Sequence, residues 1–179
     1  MKIAQIAGFL GSGKTTLLIE VAKELVARGK RVAIVVNDVG EINVDFKIVE
    51  SYGLRAKEMS GGCICCEIAG NFANTLALLW TNFKPDIVIV EPSGVAIPWG
   101  LKRAAEYSEA EVPVTIEHAP VVTLVDSTRI DTLLGTVRRL VVTQIREADV
   151  CLINKVDASD EARIKRSEEL VREINPKCE

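Results

Sequence analysis

The segment GFLGSGKT, Gly8 to Thr15, has the spacing G-x-x-x-x-G-K-[ST] and lies between an apolar run and a helical pattern. Those residue types make a phosphate cradle. Gly8, Gly11 and Gly13 let backbone N–H groups converge on phosphate oxygens with no Cβ in the way. Ser12 and Thr16 belong to the same loop-to-helix stretch, and a helix N-terminus favours an anion. Lys14 is expected to bridge the β- and γ-phosphates, and Thr15 to ligate Mg²⁺. A second segment, NKVD from Asn154 to Asp157, follows a later apolar run. The Asp157 carboxylate can accept from both N1–H and the exocyclic amine of guanine, paired donors that adenine lacks. Asn154 can bond the base edge, and the Lys155 stem can cover the ring. Together the two segments predict GTP or GDP with Mg²⁺.

Three further segments supply acids and thiols. VIVEPSG, Val88 to Gly94, ends an apolar run on an acid. Glu91 is the candidate Mg²⁺ and catalytic carboxylate; Asp86 begins the same run and falls at the wrong end of a strand. The Gly94 N–H is placed to sense the γ-phosphate. NDVGEINVD, Asn37 to Asp45, is an acidic loop after an earlier strand, in which Asp38 is a candidate Mg²⁺ ligand, and Glu41 and Asp45 can position water or metal. SGGCICCE, Ser60 to Glu67, crowds Cys63, Cys65 and Cys66 onto a Gly-rich loop before a helix. A helix N-terminus lowers thiol pKa, and thiolates select zinc, copper(I) or iron–sulfur chemistry, with cobalt and nickel also open. Three thiolates do not close a tetrahedron. Glu41, Glu67, His118, water or a partner chain could complete it. Cys151, inside an apolar run, reads as core, and Cys178 as incidental. His118, the sole histidine, reads as a satisfied residue before it reads as a ligand.

These groups need a frame. Lys2 to Phe9, Arg31 to Asn37, Leu54 to Met59, Asp86 to Glu91, Pro120 to Asp126 and Asp149 to Asn154 read as strands. The last three are continuous apolar runs, as in strands covered on both faces. Leu17/Leu18, Val21/Ala22 and Leu25/Val26 recur at helical spacing, with Gly29 as a stop. Further helices are expected from about Glu67 to Trp80 and from Ser159 to Ile174. Strands alternating with helices predict a parallel α/β sheet.

Composition narrows the function. The chain has 179 residues, of which 48% are apolar and 26% charged, enough for one domain with a real core. A net charge of −3 gives no footprint for nucleic acid. No apolar run approaches the ~20 residues needed to span a bilayer, and no signal peptide is read. The expected compartment is the cytoplasm, where thiols stay reduced.

Taken in order, GFLGSGKT, NDVGEINVD, GGCICC, EPSG and NKVD resemble the CobW-like GTPases, relatives of the hydrogenase and urease nickel-insertion GTPases. VDSTRI and QIREADVCLINK also resemble that family's stretches between its last two strands. The resemblance covers nearly the whole chain, and C-x-C-C is its most specific mark. It implies a P-loop NTPase fold, a mostly parallel sheet with helices on both faces, occupying residues 1–179 as a single domain. It implies GTP hydrolysis, slow without a partner, coupled to handling a transition metal. Zinc or cobalt is delivered to a client protein or cofactor-assembly enzyme. A metal- or nucleotide-dependent homodimer is consistent with it. Many relatives carry a C-terminal domain, and this sequence ends at INPKCE, before the small loop that normally completes the guanine site. A nickel-insertion GTPase and a regulatory GTPase with a structural zinc are the rival readings. An iron–sulfur scaffold ATPase is a third, against which NKVD argues.

Overall fold

The computed structural model describes residues 1–36, 55–58, 68–108 and 112–179. Asn37, Asp38, Glu41, Asp45, Cys63, Cys65, Cys66 and Glu67 lie outside the described residues. Six strands form one sheet: β1 (Lys2–Gly8), β2 (Val32–Val36), β3 (Arg55–Glu58), β4 (Ile87–Glu91), β5 (Glu117–Asp126) and β6 (Val150–Asn154). Their order is β3-β2-β4-β1-β5-β6, and every neighbouring pair is parallel. Among the described residues, five α-helices accompany them: α1 (Lys14–Ala27), α2 (Ile68–Phe83), α3 (Pro98–Ser108), α4 (Ile130–Arg146) and α5 (Glu161–Ile174).

Strand periodicity divides the core. Ile3, Ala33, Val35, Val88 and Val90 face the cluster that includes Phe72 and Leu76 of α2 and Leu101 of α3. The alternate residues Ile6, Val32, Ile34, Val36 and Ile89 face Leu18 and Ala22 of α1. Both faces are therefore covered, which is why β2 is apolar at every position and buried throughout. A third cluster joins Val125 of β5 to Ile130, Leu133, Val141 and Ile145 of α4 and to Leu170 and Val171 of α5.

Chain direction places the site. From β1 the chain goes to β2 on one side; from β4 it passes β1 to β5 on the other. Such a reversal opens a crevice at the carboxyl ends of the strands. Gly8, Glu91, Asp126 and Asn154 close their strands at that edge.

The structure differs from the sequence reading in several places; α2, for one, runs to Phe83 where the pattern predicts an end near Trp80. β5 begins at Glu117, three residues before the apolar run, because its main chain pairs with Lys2 and Ile3 while its first side chains stay outside the core. Helices α3 and α4 had no assigned element. β6 is an edge strand with no fully buried residue, so Cys151 is half-buried, not enclosed. Among the described residues, no helix is long and apolar enough to cross a membrane.

Candidate functional site

The Gly8–Thr15 loop turns by left-handed backbone: φ is +134° at Gly8, +73° at Gly11 and +99° at Gly13. A side chain at Gly8 would meet Leu124 O at 2.6 Å, and one at Gly13 would collide with Asn154 Nδ2. Gly13 is the N-cap of α1, with no side-chain cap and no acid in the first turn. The first N–H groups of the helix are thus left for an anion. Inside the loop, the fully buried Ser12 Oγ has no hydrogen-bond partner among the described residues. These features fit a phosphate group.

Lys14, Thr15 and Glu91 meet at this loop. Thr15 Oγ1 lies 2.9 Å from both Glu91 carboxylate oxygens. Lys14 Nζ lies 3.8 Å from Glu91 Oε1, and both side chains are more than nine-tenths buried. Lys14 also donates to Phe9 O at 3.5 Å. A hydroxyl and a carboxylate in contact, beside a phosphate cradle, are the oxygen ligands a Mg²⁺ ion takes. Thr16 is exposed one position further along α1. Asp86 stands at the other edge of the sheet, accepting from Arg31 N at 2.8 Å. His118, at the amino end of β5, is also at that far edge.

The turn after Glu91 lies on the loop. A Cβ on Gly94 would fall 2.6 Å from Leu10 N and 2.9 Å from Leu10 Cα. Gly94 therefore touches the phosphate loop through bare backbone.

The NKVD segment joins the loop from β6. Asn154 Nδ2 donates to Ser12 O at 2.7 Å, so this amide braces the phosphate loop. Lys155 adopts φ +59°, and its Nζ lies 2.8 Å from Asp126 Oδ2. Asp157 is exposed in a 3₁₀ turn, open to a base edge.

Sequence reasoning passed over Asp126 and Arg129. The Asp126 carboxylate is fully buried; it accepts from Arg129 Nε at 2.9 Å, from Lys155 and from Thr128 N and Oγ1. Burial alone raises its pKa. The bonds from Lys155, Thr128 and Arg129 outweigh burial and hold the carboxyl below the usual carboxylate range. Arg129 Nη2 also donates to Leu10 O at 2.6 Å. One carboxylate thus orients both Lys155 of the NKVD segment and Arg129, which reaches the Gly8–Thr15 loop. The signal was present in VDSTRI: an acid ends an apolar run, with a cation three residues on.

The remaining thiols are away from this edge of chemistry. Cys151 and Cys178 pack in the α4–α5 cluster. Burial, then the neighbouring Cys178, pushes the Cys151 thiol up to about 12, so it stays protonated. Cys178 is part of that packing, not incidental.

The chain matches the family described as CobW/HypB/UreG, nucleotide-binding domain, over residues 2–179. It is 31% identical to a zinc chaperone CobW from Sinorhizobium sp, over 89% of this chain and 52% of that one. It is 30% identical to the zinc-regulated GTPase metalloprotein activator 1 of Dictyostelium discoideum, over 99% of this chain and 44% of that protein. The chain thus spans about half the length of these relatives. The Zn(II)-bound YjiA GTPase from E. coli superposes with a TM-score of 0.73 at 24% identity, covering 100% of this chain and 56% of that one. That likeness carries the fold.

Proposed function

We propose that this chain, which belongs to the CobW/HypB/UreG family of nucleotide-binding domains, binds and hydrolyses GTP. We further propose that it couples nucleotide state to the binding and handover of zinc or cobalt. Residues 1–179 act as one nucleotide-binding unit that works in the cytoplasm and passes metal to a client protein. Similarity to a zinc chaperone and to a zinc-regulated GTPase metalloprotein activator supports the metal-handling part.

In this reading the backbone of Gly8 to Thr15 wraps the phosphates, and Lys14 compensates charge on the β- and γ-oxygens. Thr15 and Glu91 hold Mg²⁺, with Asp38 as a further candidate ligand; the ion supplies neutralisation of charge that develops on the phosphates. Water attacks the γ-phosphorus, the bond to the β–γ bridging oxygen breaks, and GDP and phosphate leave. Glu41 is the candidate for orienting that water. Asp157 selects guanine, Lys155 covers the base, and Asn154 keeps the loop and the base motif in register.

The observation that carries the coupling is strand register. Val36 pairs with Glu91 on one side and with Glu58 on the other. β2 ends at Val36, with the acidic loop next in sequence, and β3 ends at Glu58, five residues before Cys63, so these strand ends are the exits toward the two segments. At about 4.8 Å between strands, both exits lie within about 10 Å of the Glu91 backbone. A transition ion on those thiolates is cargo, and its affinity and the nucleotide's must influence each other reciprocally.

Two variants test the assignment. Cys63→Ala should abolish tight zinc binding by the reduced protein and leave GTP affinity unchanged. Lys14→Ala should do the reverse. Full zinc affinity in Cys63→Ala would overturn the thiolate site; unchanged GTP affinity in Lys14→Ala would overturn the phosphate site.

A further inference from the structure

The QIREADVCLINK stretch opens on Gln144, a residue that the proposed mechanism does not use. Gln144 is almost fully buried near the end of α4, where an amide must find partners. Its Nε2 donates to two carbonyls of one turn, Gly94 O at 3.2 Å and Ala96 O at 2.9 Å. A carboxamide nitrogen has two protons, so both are committed to the segment after Glu91. The Gln144 main-chain carbonyl accepts from Thr123 Oγ1 at 3.2 Å, which pins this point of α4 to β5. One turn later, Glu147 Oε2 accepts from Trp99 N at 2.7 Å, in the first turn of α3. Asn175 Nδ2 then ties down the end of α4 through Ile145 O and Ala148 O, both at 2.9 Å.

Gly94 is thus held on two sides. Its Cα side rests against Leu10 of the phosphate loop, and its carbonyl is held by Gln144. The two bonds fix both the position and the tilt of the peptide that follows Gly94.

We propose that Gln144 is a positioning residue that sets the Gly94 turn against the γ-phosphate site, so that α4 carries the distinction between GTP and GDP away from the phosphate loop. Glu147 is the second grip of the same clamp. The inference rests on the reading of Gly94 as the γ-phosphate contact. A residue of this kind acts on the triphosphate only, because the diphosphate ends before it reaches the turn.

The test is Gln144→Met, which keeps length and burial but offers neither proton. Affinity for a non-hydrolysable GTP analogue and for GDP, both with Mg²⁺, are measured by fluorescence, alongside single-turnover hydrolysis and the melting temperature. The inference predicts about a tenfold loss in GTP-analogue affinity and in hydrolysis rate, with GDP affinity unchanged. Thr123→Val, which removes the bond to the Gln144 main chain, should lower the melting temperature and leave the ratio of the two affinities alone. Equal losses for both nucleotides in Gln144→Met, or no loss, would overturn the inference. If Gln144→Met does not fold, Glu147→Ala carries the test at a half-buried position. It should show the same triphosphate-selective loss, and an unchanged ratio there overturns the inference. The unaltered chain separates the two levels. If it does not distinguish the nucleotides, the reading of Gly94 fails and this inference with it. If it does, and the variants distinguish them equally well, only the role of Gln144 fails.

Discussion

Gly94→Ala adds one methyl group at the closest approach between the Glu91 turn and the phosphate loop. The new Cβ would stand 2.6 Å from Leu10 N, 2.7 Å from Leu10 Cγ and 2.9 Å from Leu10 Cα. The Leu10 side chain is half-exposed and can swing away. Its backbone cannot, because Arg129 holds Leu10 O and the neighbouring Gly8, Gly11 and Gly13 carry the left-handed turns of the loop. Gly94 is not in the left-handed region, so the effect is one of contact alone. Reaching ordinary van der Waals distance requires the turn and loop to part by about 0.8 Å. Overpacking of this kind costs about 1–3 kcal/mol, or a melting temperature lower by roughly 2–12 °C for a chain of this size. A displacement near 1 Å at reacting groups can cost about a hundredfold in rate. Phosphate release under single turnover should therefore fall by about ten- to a hundredfold. GDP affinity should stay within about threefold, since GDP has no γ-phosphate for the turn to meet. Hydrolysis within about twofold of the unaltered chain, at an unchanged melting temperature, would refute the close approach and its role.

Asn154→Ala strips Ser12 O of its partner and should cost about 1–3 kcal/mol in urea unfolding, with weaker binding of GTP and GDP alike; unchanged stability would show that the bond does not brace the loop. Asp126 makes stability depend on acid. Its folded pKa is lowered, so its contribution is present above the ordinary carboxylate pKa and is lost as pH falls through the lower folded value. Asp126→Asn should therefore be less stable than the parent near pH 7, and the gap in urea midpoint should narrow below about pH 4; a gap that stays constant into acid would contradict the assignment. The Cys151 thiol, pushed up to about 12, should resist alkylation at pH 8. With Cys63, Cys65 and Cys66 replaced by Ser, a labelled Cys151 peptide should appear only after unfolding. Rapid labelling of the native chain would contradict it.

The strands of this sheet were legible because burial on both faces forces nearly unbroken apolar runs, as in Val32–Val36 and Ile87–Glu91. α1 was legible from its spacing and its stop: Gly29 takes φ +75° and its N–H returns to Val26 O. α4 was not. Gly135 interrupts it, and Val137 departs from helical geometry at φ −131°, ψ 36°, so no single helical stripe runs its length. Phosphate-loop residues announce themselves by local spacing. Gln144, Asp126 and Arg129 act across 48, 29 and 119 residues of chain, on Ala96, Lys155 and Leu10, and only folding shows those partners. The amide of Asn154 shows the same limit: the motif suggests a base contact, while the structure gives its nitrogen to Ser12 O, 142 residues away.

The most direct test of the coupling is a zinc titration of the reduced, anaerobic protein in three states: with a GTP analogue and Mg²⁺, with GDP and Mg²⁺, and without nucleotide. Parallel titrations with cobalt and nickel rank the metals. The account predicts that zinc affinity shifts by about tenfold between the GTP-analogue and GDP states, a coupling of about 1.4 kcal/mol, and that Cys63→Ala abolishes the shift. Equal zinc affinity in all three states would contradict it and leave the thiolate site uncoupled from the nucleotide.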